Sequence, residues 1–144
     1  MRIAAIKLAT AVAVVALATT ACGATISDKY KVKNEPATVE EVEGEEVWKV
    51  TLTSQATTRL GIETANVWTA SEGLAVPSSA LWLDTEGVFW VYMNPEPNVY
   101  LRHAVDVVDD DGERALISAG PPDGTVIVSV GVPELFGTEV GVGK

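Results

Sequence analysis

The sequence is poor in the residue types that most often carry chemistry or cross-links. Its 144 residues include one cysteine, one histidine and two methionines. A single cysteine excludes an intramolecular disulfide, and so few soft ligands fall far short of a zinc or copper cluster. Nucleophilic catalysis needs a base beside a nucleophile, and no Gly-x-Ser-x-Gly motif occurs. We therefore expect no catalytic residue, no cofactor and no metal, and a fold held together by packing.

Basic residues are also scarce, and no apolar run is long enough to cross a membrane. Ten Lys and Arg stand against twenty Asp and Glu, a net charge of −10. Such an acidic chain argues against nucleic acid as a partner and against electrostatic attraction to anionic lipid. The longest apolar stretch, Leu8 to Ala18, is about half of the ~20 residues that a membrane span needs.

That stretch belongs to a predicted signal peptide at residues 1–21. Arg2 and Lys7 precede it, and the small residues of Thr19-Thr20-Ala21 lead into Cys22. The arrangement resembles the bacterial lipoprotein box, in which the cysteine is acylated and becomes the mature N-terminus, although Thr19 stands where such boxes usually carry leucine. Cys22 is thus the predicted lipid attachment site. The alternative is an ordinary signal peptide cut near Ala21 with an incidental free cysteine.

Cleavage before Cys22 leaves 123 residues with a net charge of −12, enough for one domain. Residues 22–45 read as a lipidated N-terminus and flexible tether, because they are rich in lysine and glutamate and have few large apolar side chains. Residues 46–144 form the predicted β domain, with the tail from 137 frayed.

Short apolar segments with Gly/Pro turns between them predict the fold class. They include Val47–Thr53, Val88–Met93 and Val126–Val128, with turns at Asp84–Gly87 and Gly120–Gly124. Thr53 or Ser54 is placed to cap one short helix ending at Leu60, with Gly61 as its stop. We predict an all-β domain, a small sandwich or barrel, with one short helix.

Two blocks resemble the periplasmic adaptor subunits (membrane fusion proteins) of efflux systems, particularly those serving resistance-nodulation-division pumps. The first runs from Val50 to Val67 and the second from Val76 to the C-terminus, which is similar to the membrane-proximal β domain of those adaptors. Only Trp68 to Ala75 separates the blocks, where a full adaptor carries a lipoyl domain, a helical hairpin and most of a β-barrel. No heptad pattern long enough for such a hairpin occurs. The resemblance implies a reduced adaptor that keeps the pump-facing end.

Four further features come into question as sites. Trp82 and the Pro121-Pro122 pair are candidate partner contacts, with core packing and a rigid turn as the alternatives. His103 is expected to be a surface or edge-strand residue. The run Asp109-Asp110-Asp111 lacks the spacing of a calcium loop, since Val107 and Ser118 occupy two ligand positions. A solvated turn is the favoured interpretation there, and a weak cation site is the alternative.

The resulting hypothesis is a non-catalytic lipoprotein, anchored to the cell membrane and facing its extracytoplasmic side. It would act as an accessory or adaptor subunit of an efflux transporter by docking onto a permease or a full-length adaptor. The main rival is a stand-alone lipoprotein that binds a ligand or cation at the cell surface. A third possibility is an enzyme with an unrecognised carboxylate pair, which a perturbed pair in a cleft would reveal.

Overall fold

Ten antiparallel strands and two short helices make up the part of the chain that the structure, a computed structural model, describes: residues 35–44 and 47–141. The strands pair into a curled sheet that forms a half-barrel, which confirms the predicted all-β fold class. The signal peptide, Cys22 and most of the predicted tether lie outside the described residues. The second helix was not predicted.

The strands, in chain order, are β1 (Ala37–Glu41), β2 (Trp48–Leu52), β3 (Glu63–Asn66), β4 (Trp68–Ala70), β5 (Gly73–Pro77), β6 (Trp82–Leu83), β7 (Phe89–Glu96), β8 (Val99–Asp110), β9 (Arg114–Ala119) and β10 (Val126–Val130). The helices are α1 (Ser54–Leu60) and α2 (Val132–Glu139), and a single 3-10 turn covers Ser78–Ala80.

The sheet curls so that its first and last strands, β3 and β4, are consecutive in the chain. Its strand order is β3-β10-β7-β8-β9-β5-β4, and only Val67 separates β3 from β4. The Val67 N–H donates to the Thr125 carbonyl, and the Gly124 N–H donates to the Val67 carbonyl, each at 2.9 Å. This bent strand therefore pairs with β10 at one end and with β5 at the other. The curled sheet encloses a core of Val67, Val76, Ala80, Val91, Val105, Ala115, Ile117 and Ile127.

A second core lies on the other face of β7 and β10. Successive residues of a strand point to opposite faces, so Val91 and Ile127 enter the curled sheet while Tyr92 and Val128 point away from it. The outer side is covered by β2, α1 and α2, and its buried members are Val50, Leu52, Ala56, Tyr92, Tyr100, Val128, Val132 and Leu135. Burial on both faces explains why β7 and β10 read as continuous apolar runs and not as alternating ones.

Helix α1 forms as the sequence predicts. The Thr53 side chain accepts a hydrogen bond from the Ala56 N–H at 3.2 Å, which satisfies one of the free donors at the start of the helix. Gly61 ends the helix in the left-handed region, at φ 64°, where glycine meets no steric penalty.

The predicted tether extends too far along the chain, because residues 37–41 of it form a strand. β1 pairs with β2, with Val39 opposite Val50, and Ala37 and Val39 pack against the second core. On the opposite face Lys49 pairs with Glu40 at 2.7 Å, and that contact raises the pKa of Lys49. Within this strand Thr38 and Glu40 are exposed on the outward face, while Ala37 and Val39 face the core.

The predicted fraying from residue 137 is also wrong for the residues described. Helix α2 continues to Glu139, and Val140 and Gly141 close it with N–H donors to the Phe136 and Thr138 carbonyls. Val132, Leu135, Phe136 and Glu139 fall on one helical face, and three of them are buried. The two glycines at 141 and 143 suggested a loose end, but the tail is held by this face. Residues 142–144 lie outside the described part.

Gly131, the residue before α2, gives a test of this packing. It lies at φ 93°, and a Cβ added there would sit 2.3 Å from the Cδ1 atom of Ile62. Gly131→Ala is expected to cost about 2–4 kcal/mol, from left-handed backbone strain and from overpacking against Ile62. Urea unfolding measures the loss.

Gly124→Ala is the matched control, because Gly124 also has positive φ, 79°, and its added Cβ meets nothing within 4 Å. The control carries only the backbone cost of about 1–2 kcal/mol. Equal losses in the two variants would contradict the close approach of Ile62 to the start of α2.

Candidate functional site

The predicted contact residue Trp82 is half-buried and already occupied within the fold. Its ring lies 4.6 Å from that of Phe136, centroid to centroid, with the planes inclined at 30°. Its indole nitrogen is enclosed and has no hydrogen-bond partner. This packing against α2 favours the core alternative for Trp82, and its role as a partner contact stays a prediction.

The two prolines of the β9–β10 turn have opposite surroundings. Pro121 is fully buried, so its assignment as a partner contact is wrong. Pro122 is exposed, and its carbonyl accepts a hydrogen bond from the Thr125 N–H at 3.1 Å, which tightens the turn. Trp82 precedes β7 and the prolines follow β9, so the predicted contacts belong to separate turns. For Pro122 a partner role stays a prediction.

A buried polar network joins β7, β8 and α2. The Tyr92 hydroxyl donates to Glu139 Oε2 at 2.6 Å, and Arg102 Nε lies 2.9 Å from Glu139 Oε1. The Arg102 Nε–H does not point at that oxygen, so this contact is an ion pair and not a linear hydrogen bond. The Glu139 side chain is only 1% exposed. A charge this deep persists only with such partners.

The arginine of this network also stacks on aromatic rings. Its guanidinium carbon lies 4.6 Å from the Trp90 ring centroid and 5.9 Å from that of Phe136. The Trp90 indole N–H donates to Asp84 Oδ2 at 2.8 Å. That hydrogen bond is the main cause of the lowered pKa of Asp84. Arg102 therefore contacts Trp90, which is hydrogen-bonded to the β6–β7 turn, and Glu139 of α2.

The raised pKa of Tyr92 indicates a structural role for this network. Burial, followed by the hydrogen bond to Glu139, raises the pKa of Tyr92, so its hydroxyl remains a proton donor. A general base or a nucleophile needs the opposite shift. Tyr92 is fully buried on this face of β7, whereas Trp90 is half-buried. The arrangement holds α2 against the sheet.

The acidic turn after β8 uses its carboxylates to hold its own backbone. Asp111 Oδ1 accepts from the N–H groups of Glu113 and Arg114 at 3.0 and 2.8 Å, and the Arg114 contact is the main cause of its lowered pKa. Asp110 Oδ1 accepts from the Gly112 N–H and from the Ser78 hydroxyl. Across residues 35–44 and 47–141, no three His, Cys, Asp or Glu side chains are grouped to hold a metal ion. His103 is exposed on β8.

One groove, open to solvent and mostly apolar, runs along the β4–β5–β9–β8 part of the sheet. It is lined by Thr69, Glu72, Gly73, Leu74, Val108, Asp109, Leu116, Ile117 and Ser118. Leu116 points away from the core enclosed by the sheet, since its neighbours Ala115 and Ile117 point into it. The exposed side chain of Val108 lies in its wall. The exposed Trp68 is not part of the lining, but it shares the sheet face of Leu116 through the pairs Trp68–Ala75 and Ala75–Leu116.

Sequence reasoning did not find this groove. Trp68 and Val108 stand in segments that read as ordinary strands, and the register that places them on one face depends on a bulge between Val107 and Asp109. A bulge adds a residue to one strand only, and no local motif marks it. Trp48 shares the face of Val50 and Leu52 on β2, and it is exposed at the strand end.

No helix within the described residues is long and apolar enough to span a membrane. No protein-family description, no curated protein and no solved structure matches this chain.

Proposed function

We propose that this protein is a non-catalytic envelope lipoprotein whose β domain docks onto an efflux transporter as an accessory or adaptor subunit. The observation that carries the proposal is the solvent-open, mostly apolar groove beside β9. An open groove along the strands can receive the side chains of an extended segment of another protein. The lipoprotein box and the resemblance to efflux adaptors give that partner its class.

The mechanism is docking at the membrane. Cys22 would carry the lipid, and fourteen residues separate it from the start of β1 at Ala37. Even a fully extended chain of that length reaches only about 50 Å. The domain would therefore be confined near the extracytoplasmic face of the bilayer, where tethering raises its effective concentration beside a permease. The acidic surface offers no second means of membrane attachment.

The shortness of its helices favours binding of the domain at the permease end of a transporter. The described residues contain two helices of seven and eight residues, and neither could form the long hairpin with which adaptors contact an outer channel. A full-length adaptor would supply that hairpin, or the envelope has a single membrane. Binding in either setting would involve a permease or the membrane-proximal region of another adaptor.

Crosslinking in intact membranes tests the proposal. The tagged full-length chain is crosslinked mildly, purified and analysed for linked peptides, with an unrelated lipoprotein bearing the same tag as the control. We expect a permease, or an adaptor's membrane-proximal region, to be recovered specifically. Recovery of an outer-membrane channel as the principal direct partner would contradict the proposal, as would recovery of no transporter component.

A stand-alone ligand-binding lipoprotein is the competing function. Small-molecule sites usually enclose 70–90% or so of their ligand, and this groove is only partly enclosed. This shape favours a protein partner over a captured small molecule.

A further inference from the structure

We propose that the groove beside β9 is the docking site for an extended segment of a partner protein that carries both apolar and basic side chains. The inference deepens the proposed function and rests on it for the identity of the partner. It rests on the shape of the groove, the exposed Val108 in its wall and the charge around it.

The floor of the groove is built for close approach by another chain. Trp68, Ala75 and Leu116 are cross-strand neighbours on the outer face of the sheet, and of these three Leu116 lines the groove. Leu116 is 8% exposed, and Gly73 at the end of β5 leaves the sheet surface open because it has no side chain. Val108, 67% exposed, forms a wall. An incoming apolar side chain would meet Leu116 below it and Val108 beside it.

The rim of the groove is acidic. Glu72 and Asp109 line it, and Asp106 and Asp110 are exposed on the same strand as Asp109. Arg114, the basic residue of β9, is already paired with Asp111 at 3.9 Å. The described residues contain four Lys and Arg against seventeen Asp and Glu. Lysine and arginine are suited to this rim, because their long apolar stems can cover the floor while the charge reaches a carboxylate.

Charge and shape also decide against other occupants. A second copy of this chain would bring its own acidic surface to an acidic rim, and like charges in contact are unfavourable. A small organic cation would find attraction at the rim but little enclosure. An extended peptide can follow the strands and contact floor and rim together.

The test uses short fluorescent peptides and the mature chain carrying Cys22→Ser, which removes the lipid. One peptide alternates valine with lysine, a second alternates serine with lysine, and a third alternates valine with glutamate. Fluorescence anisotropy should show the valine–lysine peptide binding about tenfold more tightly than either of the others. Equal binding of the serine–lysine peptide would mean that charge alone is responsible and would overturn the proposal.

Variants then place the binding in the groove. Val108→Ser should weaken binding of the valine–lysine peptide by about tenfold, while Val140→Ser, at a residue 54% exposed directly after α2, should leave its affinity unchanged. Glu72→Gln with Asp109→Gln should weaken it similarly and reduce its salt dependence. Glu86→Gln with Glu134→Gln is the matched control. Equal losses in test and control variants would overturn the groove assignment.

Photo-reactive residues at positions 108 and 140 separate this inference from the proposed function. A permease crosslinked in membranes from position 108 and not from 140 supports both. A permease crosslinked from 140 and not from 108 overturns the groove and leaves the adaptor function supported. Peptide binding confined to the groove, with no transporter component crosslinked from either position, supports the groove and contradicts the adaptor function.

Discussion

Replacing Glu139 with alanine is expected to lower the free energy of unfolding by about 3–5 kcal/mol, because one partner of a buried ion pair is removed while the other stays. Arg102 would lose its counter-charge and Tyr92 its hydrogen-bond acceptor, both in the interface between α2 and the sheet. Urea unfolding of the mature chain, followed by tryptophan fluorescence, measures the loss.

Two further variants make this result specific to the network. Glu134→Ala removes an exposed carboxylate from the same helix and should change stability by less than about 0.5 kcal/mol. The triple variant Tyr92→Phe, Arg102→Met, Glu139→Leu replaces the network with apolar groups of similar size and should recover most of the loss. A Glu139→Ala variant as stable as Glu134→Ala would show that the ion pair does not hold α2.

Replacing Cys22 with serine is expected to move essentially all of the mature protein from the membrane fraction to the soluble fraction. Cys22 is the sole cysteine of the chain, and the net charge of −12 after cleavage provides no attraction to anionic lipid. Fractionation after a high-salt wash measures the distribution, and mass spectrometry of the mature N-terminus measures acylation directly.

Thr19→Leu is the matched control for this experiment. It introduces the residue usual three positions before the cysteine of a lipoprotein box, so the protein should remain acylated and membrane-bound. The anchor hypothesis fails if correctly processed Cys22→Ser protein stays in salt-washed membranes as fully as the parent does.

Local chemistry was enough to predict several elements from the sequence. Thr53 and Gly61 mark the ends of α1 because capping and left-handed backbone depend on a few adjacent residues. The turn from Asp84 to Gly87 joins β6 to β7 for the same reason, with Asp84 accepting from the N–H groups of Glu86 and Val88. The all-β class follows from short apolar segments punctuated by turns.

The errors occurred where distant residues decide the outcome. Residues 37–41 have the composition of a spacer, and they form a strand because β2 offers an unpaired edge and the second core accepts Val39. Glu139 reads as a solvent-facing residue near a glycine-rich end, and it is buried because Arg102 and Tyr92 lie 37 and 47 positions earlier in the chain. The average composition of these segments reveals neither the pairing of β1 with β2 nor the ion pair between Arg102 and Glu139.

For the candidate site too, some properties follow from the sequence and others depend on the tertiary structure. By itself the sequence determined the absence of disulfides and soft-metal clusters, the acidic charge, the fold class and the candidate lipid site, because these depend on residue identity and neighbouring residues. Only the tertiary structure decided that Pro121 is buried, that Trp82 packs on Phe136, and that a groove forms beside Leu116. Those outcomes depend on strand register and on the bulge in β8, which bring together residues far apart in the chain.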